Sequence, residues 1–243
     1  MADTEVVRLA RRLARLRAPS TAEREGLARL PLSVSEVPAG YHVARQGDRP
    51  KHACLVVEGF AAMQKITADG RRQILSFCIP GDVPDLQSFH LGVMDCGLAT
   101  LTRAVLAFIP HAALRETIHQ FPGLGEMLWH LTLVDASIYR EWIANIGQRE
   151  ARARVACILC EIMVRMQAAG LADGHRCYFP ITQVELADAT GISVVHMNRT
   201  MQFLRQAGYV SLADDVLTVL DWPRLSALAT FDPTYLHLEP AGD

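Results

Sequence analysis

The spacing of apolar residues changes along the chain, and each change of period marks a new kind of element. Residues 5–17 and 21–30 carry the three-to-four repeat of amphipathic helices. The second is opened by Ser20 with Glu23 three positions on, the spacing of a capping box. From about Leu32 to Pro110 the texture becomes strand-like. The runs "HACLVVEGFAAMQKI" and "RQILSFCI" flank Asp69-Gly70, a strong hairpin dipeptide, and "LATLTRAVLAFIP" closes the region. Gly47-Asp48, Gly59 and Pro80-Gly81-Asp82 punctuate it as turns would in an antiparallel roll.

From His111 the period is helical again. Leu124, Leu128, Leu131, Ile138, Trp142 and Ile146 follow a mostly three-to-four spacing, with one imperfect step at Val134-Asp135. A helix of this length either packs on its own β domain or pairs with a second copy of itself. The length and the large Trp142 favour the second, with Leu124, Leu128, Leu131, Ile138 and Trp142 as the expected dimer seam. Residues 149–168 form one more helix, and Ala169 to Pro180, with Gly170 and Gly174, reads as a loop. Two short helices about Gly191 and two strands joined at Asp214-Asp215 complete a winged helix-turn-helix.

That last segment carries the chemistry. In "QVELADATGISVVHMNRTMQ" the small Ala187 lets two helices approach closely, and Gly191 takes the positive φ of the turn between them. Ser193 caps the second helix, and Met197 belongs to its buried side. Val194, Val195, His196 and Arg199 are left near its outward end, the part of a recognition helix that enters the DNA major groove. An arginine pairs bidentately with guanine and a valine packs on a thymine methyl. Val195, His196 and Arg199 are therefore the expected base readers, with Asn198 and Gln202 at bases or phosphates. Thr182 and Ser193 stand at helix N-termini, where a backbone phosphate can be held.

Composition restricts the alternatives. The 243 residues are 50% hydrophobic and 21% charged, too apolar for disorder. No stretch reaches the roughly 20 uninterrupted apolar residues of a membrane span, and the N-terminus lacks a signal-peptide cleavage pattern, so a cytoplasmic location is expected. Charge fits a DNA binder less well. Net charge is −2, and the region from residue 149 onward sums to −3. Any hold on DNA must come from local placement of arginines.

With these motifs in place the chain resembles the Crp/Fnr family of bacterial transcription regulators over nearly its whole length. The resemblance is carried by Gly47-Asp48, the "LVVEG" run ending at Gly59, "GRRQILSFCIPGD", the long helix, and "ITQVELADATGISVVHMNRTMQFLRQAGYV". It implies an α+β fold in three parts. Residues 1–110 would be N-terminal helices and a cyclic-nucleotide-binding-type β-roll (a double-stranded β-helix) acting as sensor. Residues 111–148 would be a linker and dimerisation helix, and 149–243 a winged helix-turn-helix. It also implies a homodimer on a palindromic promoter site in double-stranded DNA, in contact with RNA polymerase.

The chain departs from the family pattern at the ligand. After the Pro-Gly-Asp turn, cyclic-nucleotide binders of the family carry Gly-Glu for the ribose and, further on, Arg-Ser or Arg-Thr for the phosphate. Here Val83-Pro84-Asp85 fills the first place and Asp95-Cys96-Gly97 falls near the second, with Arg103 several residues late. A buried phosphate needs a cationic fork, so cyclic AMP is not the expected effector. Asp85, Cys96 and Arg103 are kept as residues of a ligand pocket or redox site for an unidentified effector. The family's iron–sulfur sensors use an N-terminal cysteine cluster, whereas the first cysteine here is Cys54. In the recognition helix Val194-Val195 replaces the family's common Arg-Glu pair while Arg199 is kept, so the target sequence should differ from the best-known sites.

Other signals are weaker. Cys157 and Cys160 form a CxxC inside a helical pattern with no second ligand pair, and no metal or cofactor is expected. His42 and His52 lack metal-binding spacing, and nucleophile, P-loop and dinucleotide fingerprints are missing. An enzyme is not expected. The competing reading is a ligand-binding signalling protein or β-roll enzyme without specific DNA binding.

Overall fold

The computed structural model of the protein describes residues 2–14 and 17–238. The chain divides into two compact units. One comprises residues up to Lys65, Phe77–Ala136 and those from His237, and the other Ile66–Ser76 with Ser137–Leu236.

Helices α1 (Ala2–Ala14) and α2 (Thr21–Ala28) precede a roll of seven strands, whose fifth strand falls mostly in the second unit. The expected first helix ran on to residue 17, and residues 15 and 16 lie outside those described. The capping box forms as read, with Glu23 N–H donating to Ser20 Oγ and Ser20 N–H to the Glu23 carboxylate. The strands are β1 (Ser33–Val37), β2 (His42–Ala44), β3 (His52–Glu58), β4 (Ala61–Ile66), β5 (Arg72–Cys78), β6 (Gly97–Thr100) and β7 (Ala104–Pro110). They form two antiparallel sheets, ordered β1-β7-β3 and β2-β6-β4-β5. Leu55, Met63, Ile74, Phe77, Leu98 and Leu106 are fully buried in the core.

Two of the long runs read from sequence each split into a pair of strands. At Gly59, φ is +83°, and an added Cβ would sit 2.5 Å from the Arg103 carbonyl oxygen, so only glycine fits this corner. The five middle residues of β3 are all buried, because α1 and the short α3 (Ser88–Leu91) lie on that strand. Arg12 on α1 reaches Asp82 at 3.5 Å, both side chains nearly buried.

Helix α4 (His111–Gln120) and the 27-residue α5 (Pro122–Gln148) follow. Leu124, Leu128, Leu131, Ile138 and Trp142, read as a dimer seam, are all buried within their own chain. The alternative of an intrachain face is what these five residues show. A different stripe of α5 is open: Trp129 is 61% exposed, Leu133 49% and Ile143 72%. The helix has two apolar faces, and one of them is buried within the chain.

The second unit holds α6 (Ala151–Ala168), β8 (Ala172–Asp173), β9 (Arg176–Tyr178), α7 (Gln183–Thr190), α8 (Val194–Gln206), β10 (Val210–Ala213), β11 (Val216–Val219) and α9 (Trp222–Ala229). The expected loop 169–180 is instead a hairpin, turned at Gly174, that extends the wing to a sheet ordered β10-β11-β9-β8. Within this unit Arg72, beside the β4–β5 turn, pairs with Asp188 of α7 at 2.7 Å.

Two buried carboxyl groups dominate the polar interior. Glu161 on α6 accepts from Trp142 Nε1 at 2.8 Å, Arg165 Nη1 at 3.1 Å and the Tyr235 hydroxyl at 3.0 Å. Glu161→Ala removes the acceptor these three donors share and should lower the unfolding free energy by about 3–5 kcal/mol in denaturant titration. An unchanged midpoint would remove Glu161 as the anchor.

Asp85 in the first unit is fully enclosed, accepts from the Cys54 N–H at 2.7 Å, and is pushed up to about 7 by burial, against the backbone hydrogen bonds that pull it down. Its folded-state value lies above the ordinary carboxylate value, so its stability contribution is full below about pH 4 and is lost as pH rises towards 7. The unfolding free energy of the parent protein should therefore fall more steeply than that of Asp85→Asn, by up to about 1.4 kcal/mol per pH unit between pH 4 and 7. Parallel curves would show that Asp85 is ionised in the folded protein.

Candidate nucleic-acid interface

The recognition segment is positioned by two caps and one arginine. The Thr182 side chain accepts from Glu185 N–H at 3.2 Å, and Thr182 N–H donates to Glu185 Oε2 at 2.7 Å, a complete capping box for α7. The Thr182 hydroxyl proton is also given to Glu185, at 2.8 Å. Thr182 thus serves its own helix first. Gly191 ends α7 at φ +67°, the left-handed conformation read from the sequence. Ser193 Oγ then accepts from His196 N–H at 3.2 Å and starts α8. Thr190, at a position where an apolar residue is usual, is fully buried and spends its hydroxyl on the Leu186 carbonyl at 2.7 Å. From α6, Arg154 donates to the Thr190 carbonyl at 2.6 Å and to the Arg149 carbonyl at 3.0 Å, which fixes the interhelical turn against α6.

Helix α8 buries Met197, Thr200, Met201 and Leu204 and turns the remaining residues outward. Val194, Val195, His196, Asn198, Arg199 and Gln202 are all exposed, with Val195 at 62%. Six residues line one cavity of about 350 Å³: Ser193, Val195, His196, Arg199, Thr200 and Arg152. No carboxylate lines it. Arg152, the residue not anticipated, comes from the first turn of α6, and its guanidinium lies 3.7 Å from the Phe203 ring centroid. Stacking on Phe203 holds that cation in place beside the recognition helix. The sequence signal for it was slight: one arginine of the "RARV" run, on a helix that carries no recognition motif of its own.

The wing adds little charge. Its β10–β11 turn is the pair Asp214-Asp215, both at positive φ (52° and 56°). An acidic tip would repel a phosphate, so cationic contact rests on α6 and α8.

The residues set aside for a ligand or redox role do not converge. Asp85 is buried against the Cys54 amide, Arg103 is exposed and ion-paired with Glu36, and Cys96, in the bend before β6, is buried. Burial, and then the neighbouring Asp95, push the Cys96 thiol up to about 12, so it is not a thiolate at neutral pH. None of the six cysteines is in a disulfide and all are buried; Cys157 is also pushed up to about 12 by burial. Among the described residues no group of histidine, cysteine and carboxylate side chains could hold a metal ion.

Comparison with known proteins agrees with this architecture. Residues 34–121 match the cyclic nucleotide-binding domain, and residues 153–228 match the Crp-like helix-turn-helix domain. The transcriptional activator protein FnrL of Cereibacter sphaeroides is 27% identical over 209 residues, covering 84% of this chain and 79% of the relative. The nitrogen fixation regulation protein FixK of Bradyrhizobium diazoefficiens is 28% identical over 177 residues, covering 72% of each chain. In fold, the structure of FixK2 from Bradyrhizobium japonicum matches with a TM-score of 0.73 at 20% identity, covering 82% of this chain and 98% of that one. No helix among the described residues is long and apolar enough to cross a membrane. A β-roll of the cyclic-nucleotide-binding type, a long helix and a Crp-like helix-turn-helix make this chain a DNA-binding transcription regulator of the Crp/Fnr family.

Proposed function

We propose that the protein acts as a homodimer whose two α8 helices enter successive major grooves of a near-palindromic promoter site, about 34 Å apart. The observation that carries this reading is the exposed face of α8 above an acid-free cavity shared with Arg152. Arg199 reads guanine, Val195 packs on a thymine methyl, and His196 donates to a base acceptor or phosphate. Asn198 and Gln202 flank them, and Val194 borders the same surface. Ser193, its oxygen already capping α8, and Thr182 approach the backbone. Arg152 supplies a phosphate contact that carries no sequence information.

Self-association is assigned to the open stripe of α5, with Trp129, Leu133 and Ile143, in place of the five buried residues read first. The spacing four and then ten keeps all three on one heptad seam. RNA polymerase is the expected protein partner, and the cytoplasm the expected location. We read no catalytic role in the chain. Cyclic AMP does not suit the roll, because Asp85 is committed to a backbone amide and Arg103 to Glu36.

Selection from a random duplex library by the purified, reduced protein should enrich a palindrome. On the winning duplex, Arg199→Ala should cost roughly 1–3 kcal/mol and relax preference at one position per half-site. Arg152→Ala should weaken all duplexes alike and lower the slope of log affinity against log salt by about 1 per contact. If Arg152→Ala leaves the salt slope unchanged, Arg152 does not touch phosphate. If Arg199→Ala leaves the preferred sequence and affinity intact, base reading lies elsewhere. Leu133→Glu places a charge on a half-exposed position, so the subunit should still fold. It should sediment as a monomer and lose tight binding to the palindrome but not to a single half-site. A variant that remains dimeric would exclude this face of α5 as the seam.

A further inference from the structure

The first unit contains a second cavity, of about 550 Å³, outside the roll and bounded by α3, α4 and α5. Its walls are Leu86, Phe89, Leu91, Ile118, Leu128 and Trp129. Its volume lies within the 300–1,000 Å³ typical of small-molecule sites. The floor is tight: a Cβ added at Gly125 of α5 would lie 2.8 Å from Ile118 Cγ2, so glycine lets α4 and α5 close beneath the cavity.

Its polar features are one-sided. Arg115 places its guanidinium 4.9 Å from the centre of the Phe89 ring. His90 and His111 set their rings edge-on to Phe89 at 4.5 and 5.6 Å between centroids. No ion pair among the described residues gives Arg115, His90 or His111 a carboxylate. His111, which lies outside the lining, is held below its ordinary value, first by burial and then by His52 and Arg115. A cation beside an apolar cavity is matched by a ligand with an apolar body and one anionic end.

We propose that this cavity binds a small amphipathic carboxylate, aliphatic or aromatic, with its chain against Ile118, Leu128 and Trp129 and its carboxylate at Arg115. The site is distinct from the interior of the roll, and it stands independently of how α8 reads DNA.

The test uses the full-length protein and two probes. Anilinonaphthalene sulfonate, an aromatic body with one anionic group, should fluoresce on binding, one per chain. Decanoate should displace it, and decanol should do so far more weakly. Thr132→Phe, which fills the cavity from a partly buried position on α5, should weaken both probes by about tenfold or more. Arg115→Ala should weaken decanoate by about tenfold and leave decanol unchanged, which separates charge recognition from simple hydrophobic uptake. Equal displacement by decanol and decanoate in the parent protein would overturn the proposal, as would unaltered probe binding in Thr132→Phe. A third contrary result is binding to the Leu133→Glu variant alone, with none to the parent dimer, which would make the cavity a seam covered by the second subunit. None of these outcomes depends on duplex binding, so failure here leaves the reading of α8 untouched.

Discussion

Glu161 lies inside the second unit with 1% of its surface exposed, and three donors from three segments converge on its two oxygens. A lone carboxylate at that depth would be strongly disfavoured, since desolvation exceeds what any single hydrogen bond returns. It is tolerated because the Trp142 indole, the Arg165 guanidinium and the Tyr235 hydroxyl arrive together. That requirement fixes where α6 lies against the end of α5 and against the turn at Pro233–Leu236. Helix α6 then serves as the fixed member: Arg154 binds the Thr190 carbonyl at the close of α7, and Arg152 reaches the flank of α8. The geometry of the recognition helix is thus set from behind, by a satisfied charge in the interior. Burial of the same region also raises the Tyr235 hydroxyl and the Cys157 thiol, with the negative Glu161 adding to both.

This arrangement also answers the unfavourable charge balance. The region from residue 149 onward sums to −3, yet several of its carboxylates are engaged away from the cavity beside α8. Glu161 is internal, Glu185 caps α7, Asp188 is paired with Arg72, and Asp221 caps α9 and pairs with Arg224. Arg152 and Arg199 share a cavity lined by no acid. Charges separated by more than the Debye length, about 8 Å at physiological salt, are largely screened. What an anion beside α8 would meet at close range is therefore the local pair of arginines and not the sum over the region. Net charge is a poor guide to nucleic-acid binding where acids are consumed by caps and ion pairs.

The elements that were legible in the sequence were those fixed by local chemistry. Ser20 with Glu23, Gly191 and Ser193 each specify a cap or turn through atoms within four residues, and each formed as read. The β-roll was legible as a region, because turns at Gly59 and Gly70 bound the strands by backbone need. What was not legible depended on partners distant in sequence. The hairpin at residues 172–178 is too short to show a period and exists because β11 supplies its third strand. The burial of Leu124 through Trp142 could not be told from a dimer seam, since both demand the same three-to-four spacing on a long helix. Arg152 carries no motif, and only the packing of α6 brings it beside Arg199.

That same ambiguity in α5 has a functional side. A helix with two apolar faces can commit one to its own subunit and keep one open, and Trp129 stands on the border of the two. It lines the cavity beside Arg115, and it is also the first exposed residue of the open stripe. One side chain therefore cannot adopt a position for the cavity without setting the edge of the stripe. Any molecule that orders Trp129 in one rotamer removes rotamer freedom that self-association would otherwise have to remove. Thermodynamic reciprocity then requires that association strengthen binding in the cavity by the same factor that binding strengthens association. Coupling of this kind needs no change in the roll's interior, where Leu55, Met63, Ile74 and Leu106 are fully buried. In this chain the helical groove beside α5 shares Trp129 with the open stripe, so the proposed ligand site and the proposed association face border on one residue.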